Sequence, residues 1–360
     1  MQQGGGNDGR PYSFGRPSSG GSKAAYPCKS YGQGRINPAY FYGVFDPNDM
    51  RRDVSITMTG SNGKGVEKLI PFVPNSKAEG GGLTLNKWDE NRQANPWVAA
   101  QRKSGINGPY MRMSEVYLGY AEVCAALGDV VTGKQYLKTV RERSFPQGLA
   151  NTDAFIASFG NDLVRAIIEE RGFEYAGEGD RRWTLIRSGY LPEDIKRIKD
   201  MTKAMMDGLA TKGYYEFENG NIISAYIWTK LVDAKTIYGH RLTAQCPTDK
   251  VNDPVLYPGW RGQKDNWEEM GLNYGSSTPA TNLAIKGLFE IVSEEEAASL
   301  ESQGYTKVNW GIDLVDNRDE YDKYLFWDYD YVSAPIYLWP FTPNVMAAGG
   351  FTNGYGFKQE

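Results

Sequence analysis

The chain has 360 residues, 40% of them hydrophobic, with 40 basic side chains against 44 acidic ones and a net charge of -4. That length allows two domains or one large one, and that charge leaves no basic excess to neutralise phosphates, so nucleic acid is excluded as a partner. The single histidine, His240, removes every site that needs two imidazoles and leaves one chance at a triad; the catalytic chemistry still open is that of paired carboxylates.

The opening MQQGGGNDGRPYSFGRPSSGGS has neither the positive leader nor the apolar core of an export signal. Its Gly/Ser-rich, aperiodic character reads as a loop cut from a longer protein, so the chain is expected to be a fragment. Residues 1–105 are rich in Gly, Pro and Asn and are expected to be mostly loop, with the alternation Val54-Ser55-Ile56-Thr57-Met58-Thr59 predicting a strand before the Gly60-Ser61-Asn62-Gly63 turn. Met113, Val116, Tyr117, Tyr120, Ala121, Cys124 and Leu127 then recur at spacings of three and four, which predicts an amphipathic helix over 111–127 ended by Gly128. Tyr136, Leu137 and Val140 predict a second helix over 131–143, and the Leu127-Gly128-Asp129 turn folds the two into a tetratricopeptide-like hairpin.

Thr152-Asp153 is expected to cap a third helical region that continues through Asn161 to Arg171, with Leu163, Val164, Ile167 and Ile168 on one face. From Glu169 to Arg187, charges of both signs alternate with Phe, Tyr, Trp, Leu and Ile. A charge run is ordinarily a solvated face, but these apolar neighbours point to a partly buried ion network, for which arginine is better suited than lysine. A helix is expected from Pro192 to Leu209, strand-favouring composition over 214–227, loops over 246–281, and a helix near 293–303 capped by Ser293 with Glu294-Glu295-Glu296 complementing its dipole. No run approaches the roughly 18 apolar residues of a membrane span, and Cys28, Cys124 and Cys246 spell no CxxC motif.

Tyr110-Met111-Arg112-Met113-Ser114-Glu115-Val116-Tyr117-Leu118-Gly119-Tyr120-Ala121-Glu122, followed by Leu127-Gly128-Asp129 and Val140-Arg141-Glu142-Arg143, resembles the R-x-x-E-V-x-L-x-Y-A-E … L-G … V-R-x-R signature of SusD/RagB proteins. Glu169-Glu170-Arg171, Glu174, Glu178-Gly179, Arg181-Arg182, Leu185 and Arg187-Ser188-Gly189 resemble a second block of that family, with Thr184 where the family has Asp. Ala334-Pro335-Ile336-Tyr337-Leu338-Trp339-Pro340-Phe341 and Thr352-Asn353-Gly354-Tyr355 resemble its closing segments, without the proline of the usual tail.

The resemblance implies a mainly α fold of tetratricopeptide-like hairpins with long loops and a few short strands. Residues 1–360 would be the C-terminal part of such a protein, with 1–105 loop-rich, 106–210 the helical signature and 211–360 mixed loops, strands and helices. It further implies a lipoprotein on the extracellular face of the outer membrane of Bacteroidetes-type bacteria, joined to the membrane only through a lipid anchor absent from this chain. Such proteins bind oligosaccharides or other nutrients and close over a SusC-type TonB-dependent transporter. They are not enzymes, and neither cofactor nor metal is expected.

A sugar offers hydroxyls at its edge and C–H groups on its face, so a binder needs flat apolar platforms beside polar groups. The chain has 14 Phe, 9 Trp and 24 Tyr. Trp88, Trp97, Trp260, Trp267 and Trp310 are the candidate platforms; Trp88 is flanked by Asn86, Lys87, Asp89 and Asn91, and Trp260 by Arg261, Gln263, Lys264 and Asp265. Any single loop tryptophan is more often a half-buried prop that pins the loop than a ligand platform. Glu115, Arg171, Glu174, Glu178, Arg181, Arg182 and Arg187 are expected to form the structural ion network. Two other readings stay open: a glycosidase using carboxylates among Asp313, Asp316, Asp319, Asp322, Asp328 and Asp330, and a helical interaction scaffold with no small ligand. The Asp328-Tyr329-Asp330 fragment lacks the Gly and Glu of a calcium loop, Cys124 falls on an apolar helix face, and His240 has no partner in sequence and is expected to be structural.

Overall fold

The computed structural model describes residues 34–61, 67–70, 72, 82–88, 109–233, 281–319, 337 and 343–350. Two short helices, α1 (Pro38–Gly43) and α2 (Met50–Ser55), come first. Each is started by a side-chain acceptor: Asn37 takes the N–H of Ala39 at 2.8 Å, and Asp49 that of Arg51 at 3.0 Å. The strand expected over 54–59 is corrected by α2, which claims Val54 and Ser55. Only β1 (Ile56–Thr57) and β2 (Thr59–Ser61) are extended; β2 pairs antiparallel with β3 (Glu67–Leu69) and β1 with β4 (Thr84–Leu85). A satisfied cap outweighs so short an alternation, because β propensity depends on what a strand packs against.

Helices α3 (Met113–Ala126) and α4 (Val130–Glu142) form the expected hairpin. Asp129 caps α4 by accepting from the Thr132 N–H at 3.1 Å. Gly133 allows the two backbones to approach: a Cβ there would lie 3.0 Å from the Ala121 carbonyl oxygen and 3.2 Å from the Ala125 nitrogen. Leu118, Ala121, Leu137 and Val140 meet Ile156, Leu163, Ala166, Ile167 and Tyr175 in one core, where each fully buried leucine contributes about 1.5–3 kcal/mol. Cys124 is buried on the same helix with a free thiol.

The single helical region expected from Thr152 to Arg171 is two helices, α5 (Thr152–Ala157) and α6 (Leu163–Glu174). Gly160 and Asn161 adopt φ of 66° and 64°, a left-handed pair that no helix can continue through. Asn151, not Thr152 or Asp153, caps α5, and Asp162 restarts the chain by accepting from the Arg165 N–H at 2.9 Å. Helices α7 (Asp180–Ser188) and α8 (Leu191–Lys212) follow, with Pro192 in the first turn of α8, where its missing N–H costs nothing.

The stretch of strand composition at 214–227 becomes a hairpin of β5 (Tyr214–Glu216) and β6 (Ile222–Ser224), then the start of β7 (Tyr226–Asp233). Strand β7 is the centre of an antiparallel sheet flanked by β8 (Thr281–Lys286) and β9 (Thr306–Asn309), with Leu231 opposite Leu283 and Ile227 opposite Val308. Between these strands lies α9 (Glu294–Ser302), capped by Ser293 through the Glu296 N–H at 3.2 Å. Helices α10 (Gly311–Asp316) and α11 (Pro343–Gly349) complete the described chain. A second core joins α1, α8 and the sheet through Phe41, Tyr42, Phe45, Met205, Met206, Leu209, Ile227, Trp310 and Leu314. Among the described residues no helix is long and apolar enough to cross a membrane.

Candidate functional site

Helix α6 carries Glu170 and Glu174 one turn apart, hence on one face. Glu170 accepts from Arg51 at 2.6 Å and from Arg141 at 3.0 Å. Glu174 accepts from Arg112 at 2.6 Å, from Arg51 at 3.2 Å and from Arg143. Glu178, just beyond the helix, binds Arg112 at 2.7 Å and Lys87 at 2.5 Å. On the opposite side Glu169 meets Arg181 at 2.9 Å and Arg165 at 3.0 Å, while Asp194 of α8 holds Arg181 at 2.9 Å and Arg197 at 2.6 Å. Arg171 pairs with Asp180 at 2.5 Å and reaches Glu115 at 3.9 Å; Arg187 pairs with Glu122 of α3; Arg182 is half-buried on α7. The Thr184 hydroxyl donates to Asp180 at 2.8 Å and accepts from Arg171 Nε at 3.3 Å, so it takes a place in the network that a carboxylate would otherwise fill.

Glu169, Glu170 and Glu174 are almost wholly buried, where an uncompensated charge would be prohibitive. Burial alone would raise the Glu174 carboxyl, but the guanidiniums of Arg143, Arg51 and Arg112 outweigh it and hold the group down at about 2. Burial likewise opposes ionisation of Asp194, and Arg181 and Arg197 overcome it, lowering that carboxyl too. The ammonium of Lys87 is pushed down by burial, which its pairing with Glu178 only partly offsets. The paired charges clamp α2, α4, α6 and α7 together.

The pH dependence follows from the sign of those shifts. A carboxyl whose folded value lies below its unfolded one stabilises the fold above the unfolded value and loses that contribution as pH falls through the folded value. The expected result is a urea-unfolding midpoint that is level between pH 7 and 5 and drops between about pH 4.3 and 2, with Glu174 alone accounting for about 3 kcal/mol. An acid limb unaltered by Glu174→Gln would contradict this.

Of the predicted platforms, Trp88 is only 5% exposed and Trp310 1% exposed. Neither presents an open face, and both are corrected to props: a ring pressed into the core gains more from burial than an edge of loop gains from display. Trp97, Trp260 and Trp267 lie outside the described residues, as do His240, Cys28, Cys246, Asp322, Asp328 and Asp330. Asp313 is pushed up by burial and then by Asp316. Among the described residues no three His, Cys, Asp or Glu side chains gather where a metal ion could sit. An open groove of about 740 Å³ runs between the end of α4 and the start of α5, lined by Lys134, Lys138, Glu142, Arg143, Gln147 and Asn151 among others. It offers donors and acceptors, but its one ring, Phe145, is buried.

The sequence pattern over 169–187 signals a network but not its other half. Asp49, Arg51, Lys87, Arg141 and Arg143 reach it from distant elements, and of these Arg141 and Arg143 stand, like Arg112, in the helical signature.

A helical hairpin packed on further helices, with a carboxylate–guanidinium lattice at its centre, defines a mainly α-helical scaffold. The family model described as the SusD family matches residues 1–340, and the chain belongs to that family. SusD-like protein P25 of Formosa agariphila is 28% identical over 160 residues, which are 44% of this chain and 26% of that protein. The match thus spans about a quarter of the length of this curated relative. A SusD homolog from Bacteroides thetaiotaomicron has a TM-score of 0.32 at 23% identity, covering 45% of this chain and 33% of that one. A SusD superfamily protein from Bacteroides vulgatus has a TM-score of 0.30 at 19% identity, covering 47% and 36%. At the family level the role is binding of glycans or other nutrients at the outer-membrane surface.

Proposed function

We propose that the protein captures oligosaccharides or related nutrients on the extracellular face of the outer membrane and passes them to a SusC-type TonB-dependent transporter, making and breaking no bond. The observation that carries this reading is the SusD family match over residues 1–340. Two physical features support it: the buried ion lattice gives the helical frame the rigidity a preorganised binder needs, and its Glu174 and Asp194 carboxyls are held down by neighbouring guanidiniums rather than poised to donate a proton. The ring platforms are proposed to be Trp97, Trp260 and Trp267, with the polar side chains beside Trp260 meeting hydroxyls.

The test is an array of defined oligosaccharides probed with the purified chain, with chromatographic analysis of any sugar that binds. Saturable binding without release of new reducing ends is expected, weakened by each of Trp97→Ala, Trp260→Ala and Trp267→Ala by about 2 kcal/mol, some thirtyfold in Kd. Release of shorter sugars that stops when Asp313 is changed to Asn would overturn the reading in favour of a glycosidase. Delivery is tested by co-purification with the transporter from outer membranes, and a chain that never associates with one would remove that part.

A further inference from the structure

We propose that the face of the β7–β8–β9 sheet turned away from the second core binds acidic saccharides, those bearing carboxylate or sulfate groups, with Lys286 and Lys307 as the residues that recognise the charge. This inference rests on the nutrient-binding reading and names the class of sugar. Residues directly opposite one another in neighbouring strands project to the same face. Trp228 of the central strand β7 lies opposite Lys286 of β8 and Lys307 of β9, so two lysines flank one indole in a single row. Tyr226 and Lys230, two residues to either side along β7, share that face, whereas Ile227, Ile285 and Val308 turn to the second core.

Lys286 and Lys307 are exposed, and Tyr226 beside them is 36% exposed. The Lys307 ammonium lies 4.0 Å from the centre of the Tyr226 ring and 5.8 Å from the Trp228 ring, contacts that steady the cation without neutralising it. Lys230 donates to the Gln303 carbonyl at 2.6 Å. Among the described residues none of the three lysines meets a carboxylate, although α9, packed against β9, carries Glu294, Glu295 and Glu296. Elsewhere Lys87, Lys134, Lys138, Lys196 and Lys203 each have an acidic partner. Like charges gathered on one sheet face cost stability, and an external anion seated among them offsets that cost.

Edge-strand lysines also keep a sheet from pairing with another chain, but that role asks nothing of the ring between them. Trp228 is 6% exposed and forms the floor of the row rather than a platform. Unlike Trp310, whose indole N–H has the Tyr42 hydroxyl, Trp228 has a buried Nε1–H with no acceptor, on the edge of the ring away from Gly287. An unsatisfied buried donor is costly, and the oxygens of a carboxylate or sulfate are acceptors. Strands spaced about 4.8 Å apart place the two lysine backbones roughly 10 Å from each other, room for one sugar ring beside Tyr226 with an ammonium on either side. Lysine suits this purpose because a point charge takes carboxylate and sulfate alike. A lipid surface is disfavoured because the tryptophan does not protrude to enter a bilayer, and nucleic acid by the net charge of -4.

The test is isothermal titration calorimetry of the 360-residue chain with tetragalacturonate, a sulfated carrageenan tetrasaccharide and neutral galactotetraose. At least one acidic sugar is expected to bind saturably, at least tenfold more tightly than the neutral one and more weakly as salt rises. The double variant Lys286→Gln, Lys307→Gln is expected to lose that tenfold, and Lys286→Arg, Lys307→Arg to keep it. Both lysines are exposed, so the fold should tolerate the changes, checked by circular dichroism; if it does not, Lys286→Gln alone carries the comparison. Equal affinity for acidic and neutral sugars, undiminished binding by the Gln variant, or sodium sulfate binding as tightly as the oligosaccharides would each overturn the proposal. So would lysine-dependent binding to phosphatidylglycerol vesicles with no acidic sugar bound, which would make the face a lipid contact. Neutral sugar bound through the loop tryptophans, with no lysine-dependent gain for acidic ones, would remove this inference and leave nutrient capture standing; no sugar of either kind bound would remove both.

Discussion

Glu174→Gln is expected to cost about 3 kcal/mol of stability, because it deletes the charge that Arg51, Arg112 and Arg143 share and leaves Arg51 to Asp49 and Glu170 and Arg112 to Glu178. Against a total of 5–15 kcal/mol for a typical domain, that is a large share. The amide keeps the shape and one acceptor oxygen, so packing loss is not the cause. Arg143 is half exposed and Arg51 nearly buried, which orders their effects: Arg143→Ala should lose about 1 kcal/mol or less, because water takes over the solvation of what remains. Arg51→Ala should resemble Glu174→Gln, since it strips a partner from both Glu170 and Glu174. Urea denaturation at pH 7 measures all three. A loss under about 1 kcal/mol for Glu174→Gln would mean that the lattice is a solvated cluster and contributes little to the fold.

Trp310→Ala is expected to cost about 3–5 kcal/mol through cavity formation in the second core. The ring sits 4.1 Å from that of Phe72, its Nε1–H donates to the Tyr42 hydroxyl at 2.8 Å, and its backbone N–H donates to the Ala225 carbonyl at 2.8 Å. Side chain and main chain together pin the start of α10 to α1 and to the strand connection before β7. The smaller change Tyr42→Phe removes only the acceptor of the indole N–H and should cost about 1–3 kcal/mol, the penalty of a buried donor left unsatisfied. The two substitutions touch the same bond, so their effects should combine to less than their sum. Chemical denaturation of the single and double variants supplies the cycle; strict additivity would show that the indole and the hydroxyl are not coupled.

Trp310 also shows why the aromatic residues were the least legible part of the sequence. A tryptophan in a segment rich in Gly, Asn and Asp carries the same local pattern whether it faces a ligand or anchors the segment, and what separates the two is the presence of Tyr42, 268 residues away. Trp88 is the same case. Its polar neighbours in sequence suggest a wet surface, yet Lys87 turns to Glu174 and Glu178, and the ring turns inward. The ion lattice was half legible: the mixture of arginine, glutamate and apolar residues over 169–187 signals buried charge, whereas Arg51 and Arg141 have no feature in their own surroundings that assigns them to Glu170.

Sequence by itself determined the helices with regular apolar spacing, above all the α3–α4 hairpin, where Gly128 follows the first helix and Asp129 caps the second, together with the family, because these signals are local. It also determined the classes of chemistry that a single histidine and a near-neutral charge exclude. Only the tertiary structure decided the break at Gly160-Asn161, the inward fate of Trp88 and Trp310, and the long-range partners of the buried carboxylates. Periodicity identifies an apolar face but not what covers it; burial is a property of what distant segments bring to a place, and that information is absent from any window of neighbouring residues.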